Sequence, residues 1–247
     1  MKMLYRYLKG IINRIRSIIR WFLSHLIAVQ TLSHLQSIRE FELSVIIKLL
    51  PEKGRLLEIG SGTGWQASAL TEKGFDVSAM DINTSNYYEE RVFPVEDYDG
   101  HNLPFENAEF DIVYTSNLLE HVPHVRSFQD EIHRVLKPNG LVIHVLPSSS
   151  WRFWTNITHF IKYLNVPCVH GEYSENAFIE IARFSRSTWR QLFNETGWKV
   201  ISEQSNDLFY TGCSVLDSRV SINARSKLNS ILGSSCNIFV LKKSMTV

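Results

Sequence analysis

Between Leu4 and Leu26 the apolar residues Leu4, Leu8, Ile11, Ile15, Ile18, Phe22 and Leu26 recur at helical spacing, which gathers them on one face. Lys2, Arg6, Lys9, Arg16 and Arg20 fall on the opposite face, so the pattern predicts an amphipathic helix. Beyond it, short apolar runs alternate with helical periods. Ser37–Leu50 reads as a helix ending at Pro51, and Arg55–Ile59 as a strand breaking into the turn Gly60-Ser-Gly-Thr-Gly64. A helix over Trp65–Lys73 closes at Gly74. Strands follow at Asp76–Met80, Arg91–Val95, Asp111–Ser116 and Leu141–Leu146, with a helix at Ser127–Leu136 stopping before Pro138-Asn139-Gly140. Ser187–Glu195 and Ala224–Leu232 read as helices, Trp198–Gln204 and Asn237–Lys242 as strands. Short, nearly continuous apolar strands between helices predict an α/β fold, doubly wound around a mostly parallel sheet. The organisation expected is a basic helical arm, 1–36, and one domain, 37–247.

Charge sharpens this division. The net charge is +1, yet residues 1–39 hold seven of the 26 basic residues and none of the acidic ones. The arm, residues 2–27, therefore suits an anionic membrane surface, its apolar side in the acyl boundary; the alternative is packing on protein. Spanning is excluded by the polar residues between Trp21 and Ile38, and arginines interrupt every apolar stretch a signal peptide would need. The expected location is the cytoplasm, or the periphery of the inner membrane face. Three unpatterned cysteines (Cys168, Cys213, Cys236) fit a reducing compartment and argue against structural zinc; no metal ligands are assigned. The mildly acidic body argues against nucleic acid.

Three glycines delivered by a strand into a helix start form an anion- or cofactor-binding turn, because backbone can approach the ligand closely. Glu58 makes the motif E-x-G-x-G-x-G, distinct from the G-x-G-x-x-G dinucleotide fingerprint of a nicotinamide oxidoreductase. Asp81, ending the next strand, can accept from both hydroxyls of a ribose. Residues 148–189 carry nine aromatics, among them Trp151, Trp154, Tyr173 and Phe184. Inserted after a strand's carboxyl end, they are expected to cap a substrate crevice, the alternative being a small core of their own.

The runs LLEIGSGTGWQASALTEKGFDVSAMDI (56–82), DGHNLPFENAEFDIVYTSNLLEHV (99–122) and EIHRVLKPNGLVIHVLPS (131–148) resemble the class I S-adenosylmethionine-dependent methyltransferases, nearest the small-molecule branch called type 11. The resemblance implies a Rossmann-like sheet, with its cofactor-binding half at 51–147, the aromatic insertion at 148–189 and the sheet completed by 190–247. It implies S-adenosylmethionine as methyl donor. Glu58, Gly60 and Gly62 would floor the methionine end, Asp81 bind the ribose and Ile82 pack on adenine. Asp99 with the Gly100 backbone would meet the adenine amino group, and Asn117 would lie near the sulfonium. The usual proline-glycine-glycine turn is Pro138-Asn139-Gly140 here, with a left-handed asparagine expected.

Methyl transfer from a sulfonium needs alignment and water exclusion, and a base only when the acceptor is a hydroxyl or weakly acidic carbon. His121 is the candidate base, with His124 in reserve; alternatively Glu120 and His121 order their loop. His133 and His144 are expected to be structural. The segments 147–160 and 207–212 are similar to methyltransferases of surface-polysaccharide or lipid-linked glycan pathways, which makes Trp151 and Arg152 candidate substrate contacts. The expected function is methyl transfer to a small or lipid-linked acceptor, a glycan hydroxyl foremost. C-methylation of a quinone-like ring and a non-catalytic cofactor-fold protein are the alternatives.

Overall fold

The computed structural model describes residues 2–29, 31–172, 174–215 and 219–244, and the backbone alone for 2–5, 8, 20, 23–29, 214 and 215. Its centre is a seven-stranded sheet in the order β4-β3-β2-β5-β6-β9-β7. The strands are β2 (Arg55–Ile59), β3 (Asp76–Ile82), β4 (Glu96–Tyr98), β5 (Phe110–Ser116), β6 (Leu136–Pro147), β7 (Trp198–Ser205) and β9 (Cys236–Lys243). All pairs are parallel except those of β9, which runs antiparallel to both β6 and β7. The doubly wound α/β sheet expected from the sequence is thus present, with one reversed strand, β9.

Burial on both faces explains why the central strands read as unbroken apolar runs. Leu57, Ile59 and Val113 point into a cluster with Phe128 and Ile132 of α4 (Val125–Val135) and Trp189 and Phe193 of α7 (Arg186–Glu195). Their neighbours Leu56, Ile112 and Tyr114 face the other side. There they meet Ile38, Leu43 and Ile46 of α2 (Leu32–Ile46), Leu70 of α3 (Trp65–Glu72) and Trp151 of α5 (Ser149–Tyr163). Thr31, Ser148 and Ser185 cap α2, α5 and α7, each hydroxyl accepting from the backbone three residues on. The helix expected from Ser37 thus begins at Leu32, and its buried residues belong to the core.

Two strand expectations are corrected. Arg91–Val95 is not a strand: Pro94 removes a ladder donor, and Phe93 and Val95 instead lie against Gly64. The sheet edge is β4, one step further on, with Met80, Asp81 and Ile82 opposite Glu96, Asp97 and Tyr98. Asn139 is not left-handed; Pro138-Asn139-Gly140 lies inside β6, where pairing with β5 jumps from Phe110–Leu136 to Ile112–Leu141. The unpaired residues loop out as a bulge.

The arm is a helix, α1 (Lys2–Leu26), followed by β1 (Ile27–Val29), which pairs antiparallel with β8 (Cys213–Val215). Ile11, Ile15, Ile18 and Phe22 of its apolar stripe are exposed; the side chains of Leu4, Leu8, Leu26, Lys2 and Arg20 lie outside the described residues. No described helix is long and apolar enough to cross a membrane. The insertion holds α5 and a short α6 (Ile179–Arg183), and α8 (Ile222–Leu232) precedes β9. Tyr173, one of its nine aromatics, lies outside the described residues.

Candidate functional site

The chain winds from β2 outward to β3 and β4 on one side and to β5 and β6 on the other, so the strand order reverses between β2 and β5. In open α/β sheets such a reversal, outside the carboxyl ends of the strands, is where ligands bind. Across that edge stand Asp99 after β4, Asp81 in β3, Glu58 and the glycine turn at β2, and Asn117 and His121 after β5. Three strand spacings make this row about 14 Å long, the proportions of an elongated ligand.

The turn is built for close approach. Gly60, Gly62 and Gly64 all have positive φ, at 76°, 55° and 74°. A Cβ on Gly60 would come within 2.9 Å of Leu118, and one on Gly64 within 2.7 Å of Phe93. Gly60 and Ser61 donate their amides to the Met80 carbonyl (2.8 and 3.0 Å), which ties the turn to β3. The Asp81 carboxylate accepts from the amides of Gly62 (2.9 Å) and Ile82 (2.8 Å), leaving lone pairs on both oxygens for other donors.

Glu58 is buried, and its Oε2 has no hydrogen-bond partner among the described residues. Burial, reinforced by the nearby Asp81 charge, pushes its carboxyl up to about 8, against the pull of the Ala67 amide and the Ser61 hydroxyl. The folded protein then keeps a proton that the unfolded chain loses above the ordinary value of 4.5. Stability accordingly falls as pH rises from 4.5 towards 8, by up to about 1.4 kcal/mol per pH unit for this group. Glu58→Gln is expected to flatten that slope in urea titrations at pH 5, 6.5 and 8; an unchanged slope would assign the dependence elsewhere.

Asp99 is exposed and bonded to its own loop, with one oxygen accepting a single bond. The amide and side chain of Asn102 and the amide of His101 donate to it at 2.7–2.8 Å, holding its carboxyl down at about 2. Gly100, at φ 81°, leaves Ile82 3.5 Å from where its Cβ would stand, and its carbonyl meets His124 Nε2 at 3.0 Å. His124 stacks on His101, which places the reserve histidine beside the Asp99 loop.

Asn117 has φ 51°, and its amide nitrogen donates to the Val145 carbonyl. With its side-chain oxygen turned to the donors around it, it accepts from Arg39 at 2.7 and 3.0 Å. Arg39 is the residue sequence reasoning missed. It comes from α2, pairs with buried Glu42 at 2.5 Å, and Glu42 in turn accepts from Asn206 and Tyr210. The only signal was Arg39 and Glu42 three apart on one helix face.

His121 lies on the one-turn helix Leu119–His121 with its Nε2 3.9 Å from Glu120, and burial lowers its pKa, so the imidazole is neutral at pH 7. Glu120 does not cap α4: neither of its carboxylate oxygens has a hydrogen-bond partner among the described residues, and the side chain of the N-cap residue His124 makes no capping bond either. His144 is structural as expected: buried, stacked on Phe193, and bonded through Nδ1 to Thr115, its pKa driven down to about 3 by burial. His133 packs on Trp198. Trp151 is buried against His170 and Phe184, and buried Arg152 pairs with Glu180 at 2.6 Å while donating to the Cys168 carbonyl. The structure brings the cofactor candidates into one row but places Trp151 and Arg152 inside the insertion's packing.

Residues 33–203, which carry this row, match the family described as methyltransferase domain. The chain is 33% identical over 94 residues to the biotin biosynthesis bifunctional protein BioHC of Cellvibrio japonicus, covering 36% of this chain and 19% of that protein. It is 27% identical over 139 residues to a ubiquinone biosynthesis O-methyltransferase of Paramagnetospirillum magneticum, covering 53% of this chain and 55% of the other. It thus spans about half or less of these curated relatives. A solved S-adenosylmethionine-dependent methyltransferase from Mesorhizobium loti shares the fold, with TM-score 0.56 and 16% identity over 82% of this chain and 98% of that one. The chain therefore belongs to the methyltransferase-domain family.

Proposed function

We propose that this protein transfers a methyl group from S-adenosylmethionine to the hydroxyl of a small or lipid-linked acceptor, with a glycan hydroxyl as the class the sequence points to. The observation that carries the reading is the row Asp99, Asp81, Glu58, Asn117 along the strand ends, with glycines where any Cβ would fill the cradle. These residues fit the cofactor: carboxylate lone pairs for ribose hydroxyls and a buried Glu58 oxygen left for a donor. S-adenosylmethionine, when bound, supplies a methyl group on a positively charged sulfur. Asp81 would hold the ribose, Ile82 the adenine face, and Asp99 with Gly100 the adenine amino group. Arg39, held by Glu42 and Asn117, puts a positive charge next to the end of the row where the amino-acid carboxylate would lie.

His121, neutral and beyond the end of β5, is read as the group that takes the acceptor's proton. Support for an O-linked product is the resemblance to the ubiquinone O-methyltransferase. Support for a membrane-held acceptor is α1, with its exposed isoleucines and opposed arginines. In the insertion Phe153, Phe160, Tyr163 and Phe178 are exposed aromatics available to an acceptor.

Calorimetric titration with S-adenosylhomocysteine is expected to give saturable micromolar binding, with NAD inert; binding of NAD alone would overturn the cofactor. Co-sedimentation with anionic vesicles should be abolished by deleting residues 2–30. A full chain that ignores such vesicles removes the membrane part and leaves the acceptor a soluble molecule.

A further inference from the structure

Glu120, His121 and His170 present one ligand atom each, all within 4.8 Å of one another. Glu120 is completely buried, and neither carboxylate oxygen has a hydrogen-bond partner among the described residues. A buried carboxylate without partners is costly unless something positive completes it. The two imidazoles are exposed and meet edge to face, their centroids 4.6 Å apart. Arg39 and Arg152 are already committed, to Glu42 and Asn117 and to Glu180.

The way His170 reaches this place argues for a built site. Glu180, fully buried and paired with Arg152, accepts the backbone amides of His170 (2.9 and 3.0 Å) and Gly171 (2.7 Å). The Glu172 amide donates to the Glu120 carbonyl at 2.9 Å. Gly171 passes so near that a Cβ would lie 2.5 Å from that carbonyl oxygen. A loop fifty residues downstream is thus pinned through three consecutive backbone amides with its imidazole beside Glu120 and His121.

We propose that Glu120, His121 and His170 bind one divalent transition-metal ion. Two imidazoles and a carboxylate suit manganese, iron, cobalt, nickel or zinc and leave positions open for exogenous ligands. Ligand atoms about 3.3 Å apart, as bond lengths of 2.0–2.1 Å require in a tetrahedral site, are within reach of small rotations of the two exposed rings. The site itself stands on these three side chains; its use in catalysis rests on the function proposed above. An acceptor hydroxyl taking an open position would lose its proton to water more readily. The oxygen pair then forms the bond to the methyl carbon while the carbon–sulfur pair remains on sulfur. In the loaded protein His121 is a ligand; in the metal-free protein its lone pair stays available for the acceptor's proton.

The test is titration of chelator-stripped full-length protein with Co²⁺, read by visible absorption and by protein-bound cobalt. One equivalent is expected to bind. His121→Ala, His170→Ala and Glu120→Gln should each weaken it at least tenfold, since outer-shell changes alone cost 10–100-fold. His159→Ala, a half-buried imidazole outside the cluster, should leave it unchanged. The two cluster histidines are exposed, so their variants keep the fold, checked by circular dichroism. Substoichiometric binding, or equal binding by all three variants, overturns the site. S-adenosylhomocysteine titration of the same preparation separates the readings. Cobalt lost with that binding intact removes only the ion site, and the reverse removes only the cofactor assignment.

Discussion

Asp81→Ala is expected to weaken S-adenosylhomocysteine binding about 100-fold, while Asp81→Asn, which keeps one acceptor oxygen, falls between. Two hydrogen bonds from ribose hydroxyls to a carboxylate are worth about 1.5–3 kcal/mol each. Part of that is returned, because the same carboxylate holds the Gly62 and Ile82 amides and the two tasks share its lone pairs. A net loss near 2.7 kcal/mol corresponds to the 100-fold figure. Removing the side chain also leaves two amides without their acceptor, so the variant should be destabilised by about 1–3 kcal/mol. The two effects separate experimentally: denaturation reports the second, calorimetry on protein held well below its melting point the first. Affinity that is unchanged in Asp81→Ala would place the ribose elsewhere and dissolve the proposed cofactor row. A loss of affinity in Asp81→Ala with none in Asp81→Asn would show that charge is not what the ribose site reads.

The parts of this architecture that could be read from the sequence are those dictated by local chemistry. Leu56 and Leu57, or Ile112 and Val113, sit side by side because their strand is covered on both faces, and that leaves an apolar run. Three glycines before a helix, followed by Asp81 at the end of the next strand, depend on spacing alone. What escaped was set by distant partners. Phe93 and Val95 resemble strand residues, yet their contact is Gly64, thirty positions upstream. Arg39 looks like a surface cation of a basic arm until α2 lays it against Asn117. Arg152 and the aromatics near it resemble a sugar platform, but Glu180, an acid in an otherwise unremarkable segment, draws the guanidinium into the insertion. His170 carries no local signal at all. Only the folding of residues 168–172 back onto Glu120 makes it a neighbour of His121.

Glu180→Ala is expected to destabilise the protein by about 3–5 kcal/mol, the cost of stranding one member of a buried ion pair. For a chain of this size that is a fall of roughly 6–20 °C in Tm. Two features put the effect at the upper part of the range. Both side chains are almost fully buried, and Glu180 also accepts the His170 and Gly171 amides, which the alanine would leave without partners. Arg152→Met should cost less, because Glu180 retains those amides and a carboxyl can protonate where a guanidinium cannot. Replacing the pair together, Arg152→Met with Glu180→Leu, trades charges for apolar packing and should recover much of the loss. It should not recover the position of His170, whose backbone hydrogen bonds end on Glu180. Stability restored in the double variant without restored Co²⁺ affinity is therefore the expected pattern. Were cobalt affinity to return along with stability, the ion pair would be packing alone and the 168–172 loop would be held by its contact with Glu120.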